Sequence, residues 1–118
     1  VYNYFAPHLK KQPGCTARER DSHSAWLASG YFDALRLIHG DVTGAYSYWS
    51  GRSPSNRIEN KGLRLDAFIC SGSTNPLEDP EEGGNCPGVR VMDSYVIPTV
   101  TITSDHAPVA LALAIRDT

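Results

Sequence analysis

The run Ala107–Ile115, APVALALAI, limits the fold more than any other stretch of the chain. It is continuously apolar, as a strand covered on both faces is. Two other stretches read the same way. Leu63–Ser71, LRLDAFICS, alternates at first and then runs apolar. Val89–Thr103, VRVMDSYVIPTVTIT, is β-prone, with Pro98 at a break or an edge. Strands of this kind need a layer on each side, yet 118 residues make one domain at most. The pattern therefore predicts part of a layered fold with a partner layer missing.

The N-terminal portion reads as helical. Thr16–Glu19, TARE, has the form of a capping box, in which hydroxyl and carboxylate each take up the other residue's amide. A helix over Ala17–Ser29 follows, with Trp26 and Leu27 as its apolar anchors and Gly30 as its stop. Phe32, Leu35 and Ile38 lie three apart, so a second short helix is expected from Tyr31, ended by Gly40. Ala45–Trp49, AYSYW, is strand-like. Gly51–Gly62 is a polar loop. Gly72–Gly88, rich in glycine, proline and acid, is a surface excursion. The order helix, helix, then strands predicts helices on one face of a mixed sheet.

Several classes are excluded. No stretch approaches the roughly 18 apolar residues of a membrane span, and Val1–Gln12 has no apolar signal core. Cys15, Cys70 and Cys86 lack the spacing of a zinc site or redox pair, which favours a reduced, intracellular setting; one disulfide plus a free thiol is the alternative. Met92 is the only methionine and the chain begins at Val1, so a processed form, a cleaved piece or a partial chain is expected. The net charge of −2 does not advertise nucleic-acid binding. Charge is uneven, however. Arg52, Arg57, Lys61 and Arg64 face Glu59 alone within their stretch, and such a local basic loop can hold phosphates.

Chemistry concentrates at Thr103–Pro108, TSDHAP. Charged neighbours at the mouth of a buried strand are costly unless paired or used. Asp66 ends the alternating part of the earlier strand. If the two strands are neighbours, Asp66 can bond one nitrogen of His106, fix its tautomer and aim the other nitrogen outward. Asp105 is then left as a hard oxygen ligand suited to Mg²⁺. Taken alone, the Asp-His pair also fits a capped turn. His8, His23 and His39 have no tight cluster around them and read as surface residues; Trp26 reads as a core anchor.

Arg57–Asp66, RIENKGLRLD, followed by Ser104–Pro108, SDHAP, resembles the C-terminal part of the exonuclease III-like apurinic/apyrimidinic (AP) endonucleases, of the endonuclease/exonuclease/phosphatase superfamily. That family's stretch reads Arg-x-x-Asn-x-Gly-Trp-Arg-Ile/Leu-Asp-Tyr. Arg57, Asn60, Gly62, Arg64, Leu65 and Asp66 fall in register with it. AYSYW is similar to the family's Tyr-Thr-Tyr/Phe-Trp, Gly14–Arg20 to its Gly-Phe-Thr-x-x-Glu-Arg, and LIHGD to its Leu-His-Pro-Asp. The resemblance runs from about Gly14 to Ile115 and is broken by an apparent insertion at 72–88.

The resemblance implies an α/β (α+β) fold: half of a four-layer α/β-sandwich, with a mostly antiparallel mixed sheet and helices on one face. It implies an Mg²⁺-dependent phosphodiesterase of DNA repair, with Mn²⁺ as the alternative metal, acting on DNA with abasic sites and located in the nucleus or another DNA-containing organelle. His106, oriented by Asp66, matches the histidine at the scissile phosphate, and Asp105 matches an acid associated with metal. Tyr48, Leu63 and Leu65 match the pocket for the flipped-out abasic sugar, while Arg57, Asn60 and Lys61 lie on a loop against the DNA backbone. Leu63 stands where the family has Trp, which should loosen that pocket and favour exonuclease work. The family's metal-binding Glu and its Gly-Asp-x-Asn segment have no counterpart here, so the chain is expected to be a single C-terminal portion, inactive without an N-terminal half in cis or on another chain. A non-catalytic nucleic-acid-binding or scaffold subunit of the same fold is the competing reading, and a relative acting on phosphoinositides or sphingolipids is a third.

Overall fold

The computed structural model describes residues 6–71, 88–99 and 104–115. A 3-10 turn, Pro7–Lys11, leads to helix α1 (Ala17–Ala28), strand β1 (Tyr31–Asp33), helices α2 (Ala34–His39) and α3 (Ser55–Ile58), and strands β2 (Ile69–Ser71), β3 (Val89–Val96) and β4 (Val109–Ile115). β1 pairs with β2 and β3 with β4, both antiparallel. Helices thus combine with antiparallel sheet, as the fold class required. No described helix is long and apolar enough to cross a membrane.

The capping box forms. The Thr16 hydroxyl accepts from the Glu19 amide at 3.3 Å, and the Glu19 carboxylate accepts from the Thr16 amide at 2.9 Å. The bonds from the Thr16 amide and then its hydroxyl hold the Glu19 carboxyl below the ordinary carboxylate range. Gly30, at φ 95°, follows the helix end. Trp26 corrects the sequence reading: it is 59% exposed, and α1 buries no residue. Its ring lies 6.3 Å from that of Tyr31 instead of in a core. Trp26 and Leu27 are adjacent on the helix, so they do not share a face and cannot form an apolar stripe.

The second helix begins later than expected. Tyr31, Phe32 and Asp33 pair with Ser71, Cys70 and Ile69 as β1, and only then does α2 start. Asp33 caps it, its carboxylate accepting from the Arg36 amide at 3.3 Å. Strand pairing wins over the three-residue apolar spacing because the amides of an extended Asp33 segment find partners across the sheet. Gly40, at φ 75°, ends α2 as read from the sequence.

Ala45–Trp49 forms isolated bridges where a strand was expected, Tyr48 pairing with both Leu63 and His106. Leu63–Ser71 is likewise divided into that bridge and β2. The polar loop 51–62 contains α3. β3 carries a register shift between Val91 and Asp93, which re-aims its side chains. The apolar run becomes β4, but Leu113 is 47% and Ile115 73% exposed, so the described residues do not cover both of its faces.

Buried apolar residues form two clusters. Ala6, Leu9, Cys15 and Leu63 pack together with Tyr48 against them; Tyr46, Trp49 and Ala107 form the other, with Val96. Segment 45–49 therefore contributes to both. Cys15 and Cys70 are free thiols. Burial, then the Asp33 charge, pushes the Cys70 thiol up. Residues 72–87, which include Cys86 and the acidic run Glu78–Glu82, lie outside the described residues, as does the end of the predicted Val89–Thr103 stretch.

Candidate active site

Three stretches meet where Tyr48 bridges Leu63 and His106. Backbone bonds fix them. Tyr48 and Leu63 exchange amide–carbonyl bonds at 3.0 and 2.9 Å. The Trp49 amide donates to the Asp105 carbonyl at 3.1 Å, and the Ala107 amide to the Ser47 carbonyl at 2.7 Å. The segment carrying Asp66 and the segment carrying His106 thus flank 45–49 on opposite edges.

This placement brings the carboxylate and the imidazole together. Nδ1 of His106 donates to Oδ2 of Asp66 at 2.6 Å. A carboxylate oxygen accepts, so Nδ1 is the donor and Nε2 is the ring nitrogen left to face a ligand. Both side chains are part-exposed, at 41% and 40%. The pair is open to a ligand without being stripped of solvent. The Tyr48 ring stands 5.0 Å from the imidazole, tilted by 50°. Asp105 is exposed, and the Ser104 hydroxyl accepts from the His106 amide at 3.0 Å.

Tyr48 also lines a cavity of about 870 Å³ with Leu63, Leu65, His8, Lys11, Arg52 and Lys61. Leu63 is 2% exposed and belongs to the core as well as to this wall; Leu65 is 37% exposed. The 51–62 loop sits beside it. Arg57 places its guanidinium 4.4 Å from the Trp49 ring centre and donates to the Ser104 carbonyl at 3.1 Å. That ties the basic loop to the residues next to His106. Lys61 pairs with Glu59. Asn60 accepts from the Trp49 indole and donates to the Gly44 carbonyl, both at 3.0 Å. Its side chain shapes the loop from within.

Sequence reasoning singled out the residues around Tyr48 and His106 but missed three arrangements. Arg64 forms an ion pair with the buried carboxylate of Asp33. His39 pairs with Asp93 at 2.7 Å, a second histidine–carboxylate contact on the α2–β3 surface. Ser47, fully buried, had no assigned role. Its signals in the sequence are a small hydroxyl residue set among aromatics in AYSYW and its place at the Thr of the similar family stretch. Among the described residues no group of three or more His, Cys, Asp or Glu converges as a metal site.

No protein-family model matches the chain. It is 39% identical over 104 residues to an exodeoxyribonuclease of Streptococcus pneumoniae, covering 88% of this chain and 33% of that protein. It is 32% identical over 106 residues to the DNA repair nuclease APEX1 of Danio rerio, covering 90% and 29%. The AP endonuclease LMAP of Leishmania major superposes with a TM-score of 0.61 at 24% identity, over 84% of this chain and 25% of that one. The fold is of the endonuclease/exonuclease/phosphatase type. Within it, the chain is similar in sequence and structure to part of the exonuclease III-like AP endonucleases, and it spans about a third of the length of the S. pneumoniae relative.

Proposed function

We propose that the chain is the C-terminal portion of a divalent-metal-dependent DNA-repair phosphodiesterase that cuts the backbone 5′ to abasic sites and also acts as a 3′-exonuclease. The observation that carries the reading is the 2.6 Å contact of His106 with Asp66 next to Tyr48, a residue that also lines the basic-edged cavity. The relatives named as exodeoxyribonuclease and DNA repair nuclease support the substrate class. The exposed apolar residues of β4 support a fold completed by further chain, in cis or as a partner. In this reading the protein works where its DNA substrate is, and a nucleus or a DNA-containing organelle is the location that fits.

In this reading Asp66 holds the hydrogen on Nδ1 and keeps the ring in one orientation. Nε2 faces the scissile phosphate and stabilises charge as it builds on the phosphoryl oxygens. Tyr48, Leu63 and Leu65 wall the site for the extruded sugar, whose extrusion costs less than that of a stacked base. Arg57 and Lys61 lie along the DNA backbone on the loop that Asn60 shapes. Asp105 fits a Mg²⁺ or Mn²⁺ ion as a hard oxygen donor, its backbone fixed by the Trp49 amide and its side chain exposed. Held there with further donors from the rest of the fold, such an ion would supply Lewis-acid stabilisation of the phosphoryl group.

The test is incision of a labelled duplex with one abasic site, with Mg²⁺ and with EDTA, by the complete protein and by His106→Ala. A loss of at least about a hundredfold is expected. Incision by the variant within about twofold of wild type would remove the assignment. A recessed 3′ end run in parallel reports the exonuclease share.

A further inference from the structure

We infer that Ser47 is the positioning residue of the His106–Asp66 pair, an inference that rests on the phosphodiesterase reading above. Ser47 is completely buried. Its hydroxyl oxygen accepts from the amides of both Leu65 and Asp66, at 3.1 and 3.0 Å. Its backbone carbonyl accepts from the Ala107 amide at 2.7 Å, and its own amide donates to the Leu63 carbonyl at 3.0 Å. One residue thus holds the backbone of Asp66 on one edge and the backbone next to His106 on the other.

The hydroxyl matters because of where the chain goes after Leu63. At Leu63 the backbone pairs with Tyr48. Beyond it, residues 64–68 belong to no strand, yet the Leu65 and Asp66 amides need partners. The Ser47 oxygen takes both and so fixes where the Asp66 carboxylate starts. The carboxylate in turn fixes the imidazole at 2.6 Å. Alanine at 47 keeps the backbone bonds and removes this anchor alone. The expected result is a dyad of intact residues in loosened geometry. A misplacement of about 1 Å costs on the order of a hundredfold in rate.

The test uses the complete protein and a double-mutant cycle. S47A should lower kcat about tenfold to a hundredfold with KM within about threefold, and S47T, which restores the hydroxyl, should recover most of the loss. Because Ser47 acts through Asp66, S47A/D66N should incise no more slowly than D66N. Multiplicative losses in the double variant, or S47T as slow as S47A, would overturn the inference. If S47A does not fold, S47T is compared with S47V, alike in shape and differing in the hydroxyl; equal incision by these two overturns it as well. Amide hydrogen exchange gives a readout independent of turnover. S47A should speed exchange at Leu65 and Asp66 selectively, and unchanged exchange there refutes the anchor. D66N and H106A incising like wild type would instead sink the proposed function, while the exchange result still judges Ser47.

Discussion

Arg64 grips Asp33 with both arms of its guanidinium, Nη1 to Oδ1 at 3.0 Å and Nη2 to Oδ2 at 2.5 Å. The Asp33 side chain is 1% exposed and that of Arg64 16%. The bond joins the β1–α2 junction to the residue between Leu63 and Leu65, so it anchors one wall of the site to the helical layer. Bidentate geometry of this kind is what an arginine, and not a lysine, provides.

Removing one partner of the pair should be costly. Burial pushes the Asp33 carboxyl up, but the hydrogen bonds and charge of Arg64, with the Arg36 amide, outweigh it and hold the group below its ordinary value. The stabilisation is complete above about pH 4, the ordinary aspartate value. It is lost as pH falls through the lower folded value. D33N should therefore lose about 3–5 kcal/mol at pH 7, and the gap to wild type should close only in acid below pH 4. Denaturant titrations from neutral pH downward check this; a gap that stays constant into strong acid contradicts it.

Gly62 is fixed by contact. A Cβ there would stand 2.7 Å from both the Trp49 indole nitrogen and the Tyr48 carbonyl, and 2.8 Å from Tyr46 Cβ. The carbonyl belongs to the bridge that positions Tyr48 and cannot swing aside. G62A should cost about 1–3 kcal/mol, read as a lowered thermal midpoint, and should displace Tyr48. A variant as stable as wild type would show that this contact relaxes freely.

Asn60 has a positive φ of 53° while its amide joins Trp49 to Gly44. Asparagine tolerates that backbone better than most residues. N60A should lose about 1–3 kcal/mol through the broken bonds. N60G removes the same side chain but relieves the backbone, so it should be the milder variant. Chemical unfolding of the two decides; N60G as damaging as N60A would mean that the side chain alone matters.

What was legible in the sequence is what the chain settles locally. The capping box at Thr16 and Glu19 spans a single helical turn, so its partners were visible as letters three apart. The stops at Gly30 and Gly40 are conformational preferences of single residues. The apolar run of β4 announced itself by its length, and the motif from Arg57 to Asp66 pointed to His106 because residue types and order carry it.

Only the tertiary structure decided which distant residues meet. Asp33 and Arg64 are 31 apart in sequence and His39 and Asp93 54, and neither pairing was legible; the Asp66–His106 pairing, 40 apart, was legible only on the condition that the two segments are neighbours. A pair at such separation depends on how the chain closes intervening loops and shares a core, and no local pattern encodes that. Trp26 looked like an anchor because its type is apolar, but it stays 59% exposed with the Tyr31 ring beside it. Ser47 looked ordinary because its importance lies in two amides from another segment. The sequence determined the local elements and the chemistry available to the site; the packing of 45–49 between two other segments decided that Asp66 and His106 face each other, since that contact exists only once all three are in place.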